Sequence, residues 1–247
     1  MGSASAANAM GEGRPRAVFF DLDDTLCDYS GARELRLRTA FGLAFQRDQQ
    51  AAPEDVLDRM IVESIRIHPH AADHFGDLLT RYGVANEESA DVAVTWYRQN
   101  RFHGLNLFPD ALATIGQVRS ILAEGNALAR GRIGIVTNGP AEVQRAKLAR
   151  LSIENHVDFA IVSGEVGAEK PLPEIFSEAL RRAEVEPAHS LFVGDSLEFD
   201  IAGAARIGMP SVWVNRRGST VPDNEIGPTH VISSLSELPS ILLGLRG

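Results

Sequence analysis

Apolar residues fall into short unbroken blocks along much of the chain, and most blocks end on acids, glycines or hydroxyl residues. The first is Ala17-Val18-Phe19-Phe20, which runs directly into Asp21-Leu22-Asp23-Asp24-Thr25. A run that is apolar at every position and rich in Val and Phe marks a strand covered on both faces, as in a parallel sheet. Similar blocks lie at 132–137, 159–162, 191–193, 211–214 and 229–232. The intervals between them show helical spacing, over 108–123, 141–151, 173–183 and 198–207, and a terminal helix comes after the last block. Pro109 and Pro173 sit at helix starts and Gly208 just past a helix end, as such residues prefer. Strands alternating with helices of this length predict an α/β fold: a Rossmann-like parallel sheet with right-handed crossovers.

The stretch from 32 to 104 shows no strand pattern. After a polar bend at 27–31, Leu35, Leu37, Phe41 and Phe45, widened by Leu43, mark a first helix. Pro53-Glu54-Asp55 opens a second, with Val56, Met60 and Ile61 on its apolar face and Pro69 at or beyond its end. A third is expected over 71–82, closed by Gly83, and a fourth over 87–102 with Val92, Val94, Trp96 and Tyr97. Residues 28–104 therefore read as a separate all-helical subdomain. It is inserted into a core built from 15–27 and 105–247, after a disordered leader at 1–14.

Of the 247 residues 44% are hydrophobic and 23% charged, which is ordinary for a soluble globular protein. A net charge of −9, from 24 basic and 33 acidic residues, argues against a nucleic-acid polymer or an anionic membrane surface as partner. No apolar run approaches the roughly 18 residues a membrane helix needs. The leader has no apolar core of the kind a secretory signal requires. Cys27 is the single cysteine, so an internal disulfide is excluded and a reducing, cytoplasmic setting is expected. Cys27 itself reads as a small buried filler close behind the acidic cluster.

In open α/β sheets ligands bind beyond the carboxyl ends of the strands, which is where Asp21 and Asp23 fall. Crowded carboxylates repel one another and lose solvation, and a hard divalent cation is the usual compensation for an all-oxygen cluster. One carboxylate can then act as nucleophile and another as proton carrier. The same residues also fit a strand that ends in a polar turn, with Asp24 or Thr25 capping the next helix. Three later strand ends bear on the choice. Thr137-Asn138-Gly139 offers a hydroxyl and turn amides to a phosphate, or is simply a turn. Lys170-Pro171 lies in a polar loop at 164–171 and, with no glycine directly before the lysine and no Ser or Thr after it, is not a P-loop. A lysine there could still neutralise carboxylates and an incoming phosphate. Gly194-Asp195-Ser196 again ends an apolar block on an acid. Asp195 would complete a metal's oxygen shell, and Asp200 could support the metal or Lys170; alternatively Asp195 or Ser196 caps a helix.

Taken in order, these segments resemble the haloacid dehalogenase-like superfamily. Asp21, Asp23 and Thr25 match its Asp-x-Asp-x-Thr, Thr137 its strand-ending hydroxyl, Lys170 before Pro171 its lysine, and Gly194 through Asp200 its Gly-Asp-Ser-x-x-x-Asp. The resemblance runs from about Val18 to the chain end, and the helical insertion is similar to the superfamily's first type of cap. It implies a Mg²⁺-dependent phosphatase acting on a small phosphorylated metabolite, as a monomer or homodimer. In that family Asp21 would be the nucleophile that becomes an aspartyl-phosphate, and Asp23 the general acid and then the base. Mg²⁺ would bind Asp21, the Asp23 main-chain carbonyl and Asp195; Thr137, Asn138 and Lys170 would hold the phosphate, with Asp200 in support.

Three alternatives stand beside this. A 2-haloacid dehalogenase shares the fold but typically has no acid at the position of Asp23. A phosphomutase keeps both acids. A phosphate-binding scaffold would not need Asp21, Asp23, Lys170 and Asp195 together. The Gly-Glu-Val-Gly-x-x-Lys-Pro loop and the Thr-Asn-Gly turn look most like the branch holding pyrimidine-type 5′-nucleotidases and N-acylneuraminate-9-phosphatases. Tyr29, Arg33, Arg36, His74, Arg98 and His103 of the insertion are candidates to face the site, most of them expected to be solvated instead. His70 and His74 lie four apart near His68, but Ala71 stands where a zinc-binding His-Glu-x-x-His needs glutamate, so no structural zinc is expected.

Overall fold

The computed structural model describes residues 15–67, 71–84, 86–124, 131–220 and 227–245. The expected leader at 1–14, and His68, Pro69 and His70, lie outside the described residues. Six strands, β1 (Ala17–Phe20), β2 (Arg132–Thr137), β3 (Phe159–Val162), β4 (Ser190–Gly194), β5 (Ser211–Val214) and β6 (His230–Ile232), form one sheet in the order β3-β2-β1-β4-β5-β6. Every neighbouring pair is parallel. β1 is buried along its whole length, and β4 and β5 likewise, which is why they read as continuous apolar blocks rather than alternating ones. The chain builds from β1 through β2 to β3 and then crosses back to β4 on the other flank of β1. Strand order reverses there, and such a reversal opens a crevice at the carboxyl ends of the strands.

The chain divides into two compact units: Tyr29–Asn106 is one, and the segments before and after it form the other. In the first unit α1 (Tyr29–Arg47), α2 (Glu54–Ile67), α3 (Phe75–Arg81) and α4 (Glu87–Gln99) enclose their own core. Phe75 sits at its centre, 4.8 Å from the ring of Phe41 and 5.1 Å from that of Tyr97. The expected polar bend at 27–31 is shorter than anticipated, because α1 already starts at Tyr29 and runs through Gly31. Leu35, expected on the apolar face, is 44% exposed; the buried face is Leu37, Ala40, Phe41, Ala44 and Phe45. The buried stripe thus lies part of a turn away from Leu35, with Ala40 and Ala44 alongside the Phe41 and Phe45 rings. α4 begins where Asn86 accepts a hydrogen bond from the Glu88 amide (3.0 Å), and it stops at Gln99, three residues before the expected end. Gly83, at φ 93°, follows the last residue of the α3 turn, in the left-handed region that glycine enters without strain.

In the second unit α5 (Ala111–Ala123), α6 (Ala141–Leu151), α7 (Ser163–Val166), α8 (Pro173–Ala183), α9 (Ala202–Arg206) and α10 (Leu238–Gly244) complete the layers. The two connections that flank the insertion lie side by side: Cys27 bridges Leu107, and the Phe108 amide donates to the Leu26 carbonyl at 3.0 Å. Ile175, Phe176 and Ala179 of α8 pack on Phe19, Val136 and Phe192 of the sheet. The rings of Phe176 and Phe192 meet edge to face at 5.1 Å.

Phe176 is fully buried in this packing. Truncation in Phe176→Ala is expected to remove about 3–5 kcal/mol of stability, read as a lowered midpoint in urea unfolding. An unchanged midpoint would mean that α8 does not pack as described.

Candidate active site

β1 ends at Phe20, level with Ile135 of β2 and Val193 of β4. Asp21, Thr137 and Asp195 thus leave the sheet within two residues of one line. Past Asp21 the chain curls tightly: Asp24 adopts φ 59°, and the Leu26 and Cys27 amides both donate to the Leu22 carbonyl, at 2.9 and 3.0 Å. This curl turns the Thr25 hydroxyl back toward the acids, 3.4 Å from Asp21 Oδ2 and 3.4 Å from Asp195 Oδ1.

Lys170 lies at the centre. Its Nζ is 2.5 Å from Asp21 Oδ1 and 2.7 Å from Asp200 Oδ1, and all three side chains are buried. Its backbone is held by Asn138, whose side-chain Oδ1 accepts from the Lys170 amide (2.8 Å) and whose Nδ2 donates to the Lys170 carbonyl (2.9 Å). The Asn138 side chain is therefore spent on the lysine loop, and its main chain is the part left for the phosphate role expected of the turn amides. That loop is not wholly irregular: it opens with the single turn α7, where Ser163 Oγ accepts from the Gly139 amide at 2.9 Å. A Cβ at Gly164 would stand 2.7 Å from the Ala141 nitrogen, so only glycine lets the two loops come this close.

Asp200 reaches the site by an unforeseen device. The segment Leu197–Ile201 forms a wide π-helical turn before α9 instead of the regular helix expected from 198 onward. Ser196 Oγ caps it, accepting from the Phe199 amide at 3.1 Å, while Asp200 Oδ2 accepts from the Ser196 amide at 3.0 Å. The turn folds Asp200 back under the end of β4, where a Cβ on Gly194 would lie 2.3 Å from its Oδ2. Asp195 is anchored through its carbonyl, which accepts from Trp213 Nε1 at 2.8 Å.

Oxygens of Asp21, Asp195 and Asp200 lie within 4.8 Å of one another. One lysine thus faces three carboxylates. Burial pushes the Asp21 carboxyl well above its ordinary range, against the pull of Lys170 and with Asp200, Asp195 and Asp23 adding to the rise. Burial and the charges of Asp200 and Asp24 lift Asp195 from 3.8 to about 7. Burial alone would lower Lys170, but the charges and hydrogen bonds of Asp200 and Asp21 outweigh it and hold the ammonium above its ordinary range. An all-oxygen set with excess negative charge is the donor chemistry a hard divalent cation takes.

The Asp23 side chain is not in this group. Its Oδ2 pairs with Lys147 Nζ at 2.6 Å and accepts from Gln144 Nε2 at 3.2 Å. The same Gln144 amide donates to Thr137 Oγ1 at 2.5 Å. The sequence reading missed Gln144 and Lys147; their one signal was a spacing of three, which places them on one face of the helix after the Thr-Asn-Gly turn. Cys27 is fully buried, with Sγ 3.4 Å from the Leu22 carbonyl and its thiol raised by burial and by Asp23. Asp21, Asp23, Thr137, Asn138, Lys170, Asp195 and Asp200 all line one cavity of about 300 Å³.

Among the insertion residues, Arg36 is buried over the Tyr97 ring (4.2 Å), not solvated, and Arg98 pairs with Asp73 at 2.5 Å. His74 meets Ser64 Oγ at 2.7 Å and His103 the Trp96 ring at 5.2 Å. Arg33 lies 5.8 Å over the Tyr29 ring.

Residues 15–208 match the model of the haloacid dehalogenase-like hydrolases, and the chain belongs to that family. It is 30% identical to human N-acylneuraminate-9-phosphatase over 246 residues, covering 94% of this chain and 96% of that enzyme. It is 34% identical to the glyceraldehyde 3-phosphate phosphatase of Methanopyrus kandleri over 239 residues, covering 90% of this chain and 98% of the other. Among solved structures, a haloacid dehalogenase-type phosphatase of Thermococcus onnurineus shares 27% identity with a TM-score of 0.61, covering 94% of this chain and 99% of that one. Among the described residues no helix is long and apolar enough to cross a membrane.

A carboxyl raised on folding adds stability below its unfolded pKa and loses it as pH climbs through the folded value. For Asp195 that window runs from 3.8 to about 7. In metal-free buffer, Asp195→Asn should therefore gain in Tm over wild type as pH is raised from about 5 to about 8; a pH-independent difference would contradict the crowding.

Proposed function

We propose that the chain is a Mg²⁺-dependent phosphatase, acting on a small phosphorylated metabolite of the sugar-phosphate or nucleotide type through an aspartyl-phosphate on Asp21. The observation that supports this most is the Asp21–Lys170–Asp200 ion group at the reversal point of the sheet, with Asp195 beside it and Asp23 held separately. Phosphoryl transfer asks mainly for positioning and for positive charge around the phosphorus. Here Lys170 fixes Asp21 Oδ1, while Oδ2 meets the Thr25 hydroxyl at 3.4 Å and is the freer oxygen for attack. As the Asp21 oxygen–phosphorus bond forms, the bond to the leaving oxygen breaks, and Asp23 gives that oxygen a proton. In the second half, Asp23 takes a proton from water as the water oxygen bonds to phosphorus, and the Asp21 oxygen is released with free phosphate.

Thr137 and the Asn138 main chain would face the phosphoryl oxygens, and Lys170 would counter the charge that builds on them. Mg²⁺, held by Asp21, Asp195 and the Asp23 main-chain carbonyl with Asp200 in support, would supply further positive charge to those oxygens. The helical unit serves in this reading as a cap that limits water access. The protein works in the cytoplasm as a monomer or homodimer.

The sugar-phosphate preference draws on the two phosphatases of similar sequence. Retention of Asp23 favours ester hydrolysis over dehalogenation, since a haloalkane needs no protonated leaving oxygen.

Phosphate release from a panel of sugar phosphates and nucleotides should require Mg²⁺ and stop with EDTA. Asp21→Asn should lose at least about 10³-fold in kcat while keeping its far-UV circular dichroism. Substantial turnover by Asp21→Asn would refute the covalent route. Halide release from 2-chloropropionate, or phosphate release only with a bisphosphate activator, would point to a dehalogenase or a mutase.

A further inference from the structure

Two nearly buried side chains of α6 are committed to Asp23. Lys147 is 4% exposed and Gln144 2%. Burying a lysine costs several kcal/mol (roughly) unless a counter-charge is present, and Asp23 supplies one at 2.6 Å. Packing alone would be served by an apolar residue at 147, so the buried charge calls for a reason. Gln144 adds a second grip on Asp23 Oδ2 while also donating to Thr137 Oγ1 and to the Asn138 carbonyl (2.9 Å), which ties the end of β2 to the loop after β1. Asp23 stands two residues from Asp21, whose carboxylate is drawn onto Lys170. A free Asp23 side chain would be attracted to the same lysine, or to a cation held by Asp21 and Asp195.

We infer that Lys147 and Gln144 are positioning residues: both grip Oδ2, which holds the Asp23 carboxyl apart from the Asp21–Asp195–Asp200 group and leaves Oδ1 to carry the proton for the leaving oxygen. This rests on the phosphatase reading, in whose first half the Asp23 proton passes to the leaving oxygen as its bond to phosphorus breaks. An alcohol leaving group depends on that proton. A p-nitrophenolate departs without it. Misplacing Asp23 should therefore penalise alkyl phosphates far more than aryl ones, whereas general loosening of the fold would penalise both alike.

The test compares kcat/KM of the full chain with Mg²⁺, wild type against Lys147→Met, on p-nitrophenyl phosphate and on the best alkyl or sugar phosphate of the panel. The alkyl value should fall about 10²-fold, within the range that general acid catalysis contributes, and the aryl value at least about tenfold less than that. Lys147→Arg should recover part of the alkyl activity. If Lys147→Met does not fold, judged by circular dichroism, Lys147→Gln carries the same comparison. Equal losses on both substrates, or no loss on the alkyl one, would overturn the positioning role while leaving the phosphatase reading intact. A wild type inert toward both substrates would instead remove the phosphatase reading, and this inference with it.

Discussion

The buried ammonium of Lys170 is the contact on which the site depends. Asp21 and Asp200 sit where water cannot screen their repulsion, and a lysine between them, 2.5 and 2.7 Å away, is what allows both to remain there. Three acids against one lysine still leave an excess of negative charge, which adds to the upward push that burial gives Asp21 and Asp195. The surplus is chemically useful. It gives the group the donor chemistry that a hard divalent cation takes, and in the proposed reading that cation would bring the phosphate with it.

Much of the surrounding architecture serves to bring these charges together from distant parts of the chain. The reversal of strand order at β1 places the ends of β1, β2 and β4 next to one another. Asn138, at the end of β2, clasps the backbone of Lys170. The π-helical turn after β4 swings Asp200 inward, and Gly194 leaves it room. Each device is local and modest, worth about a hydrogen bond or a missing methyl group, yet each removes freedom that the charged side chains would otherwise use to separate.

The helical unit is organised differently. Its core of Phe41, Phe75 and Tyr97 rings is closed by apolar packing among α1 to α4, joined by Ala72 and Val84 from the loops, with a buried Arg36 over Tyr97. The entry and exit of the insertion lie side by side at Cys27 and Leu107. A subdomain with its own core can thus be inserted after β1 without disturbing the sheet.

Residue patterns alone determined the strands and their parallel arrangement, because a strand buried on both faces must be apolar at every position and the Ala17–Phe20 and Leu191–Val193 blocks are. They also marked the acids and the hydroxyl that end those blocks, since polarity directly after an apolar run is conspicuous in one dimension. What they could not determine was direction. Asp23 and Asp21 are two letters apart, yet one side chain goes to Lys147 and the other to Lys170. Leu35 looked like core and is exposed, and nothing in the Thr-Asn-Gly turn announced that the Asn138 side chain would clasp the Lys170 backbone. Those outcomes belong to the tertiary structure: which partner a polar side chain finds depends on which helix is packed against its loop, and Lys147 and Gln144, more than 120 positions away in the chain, become neighbours of Asp23 only once α6 has docked.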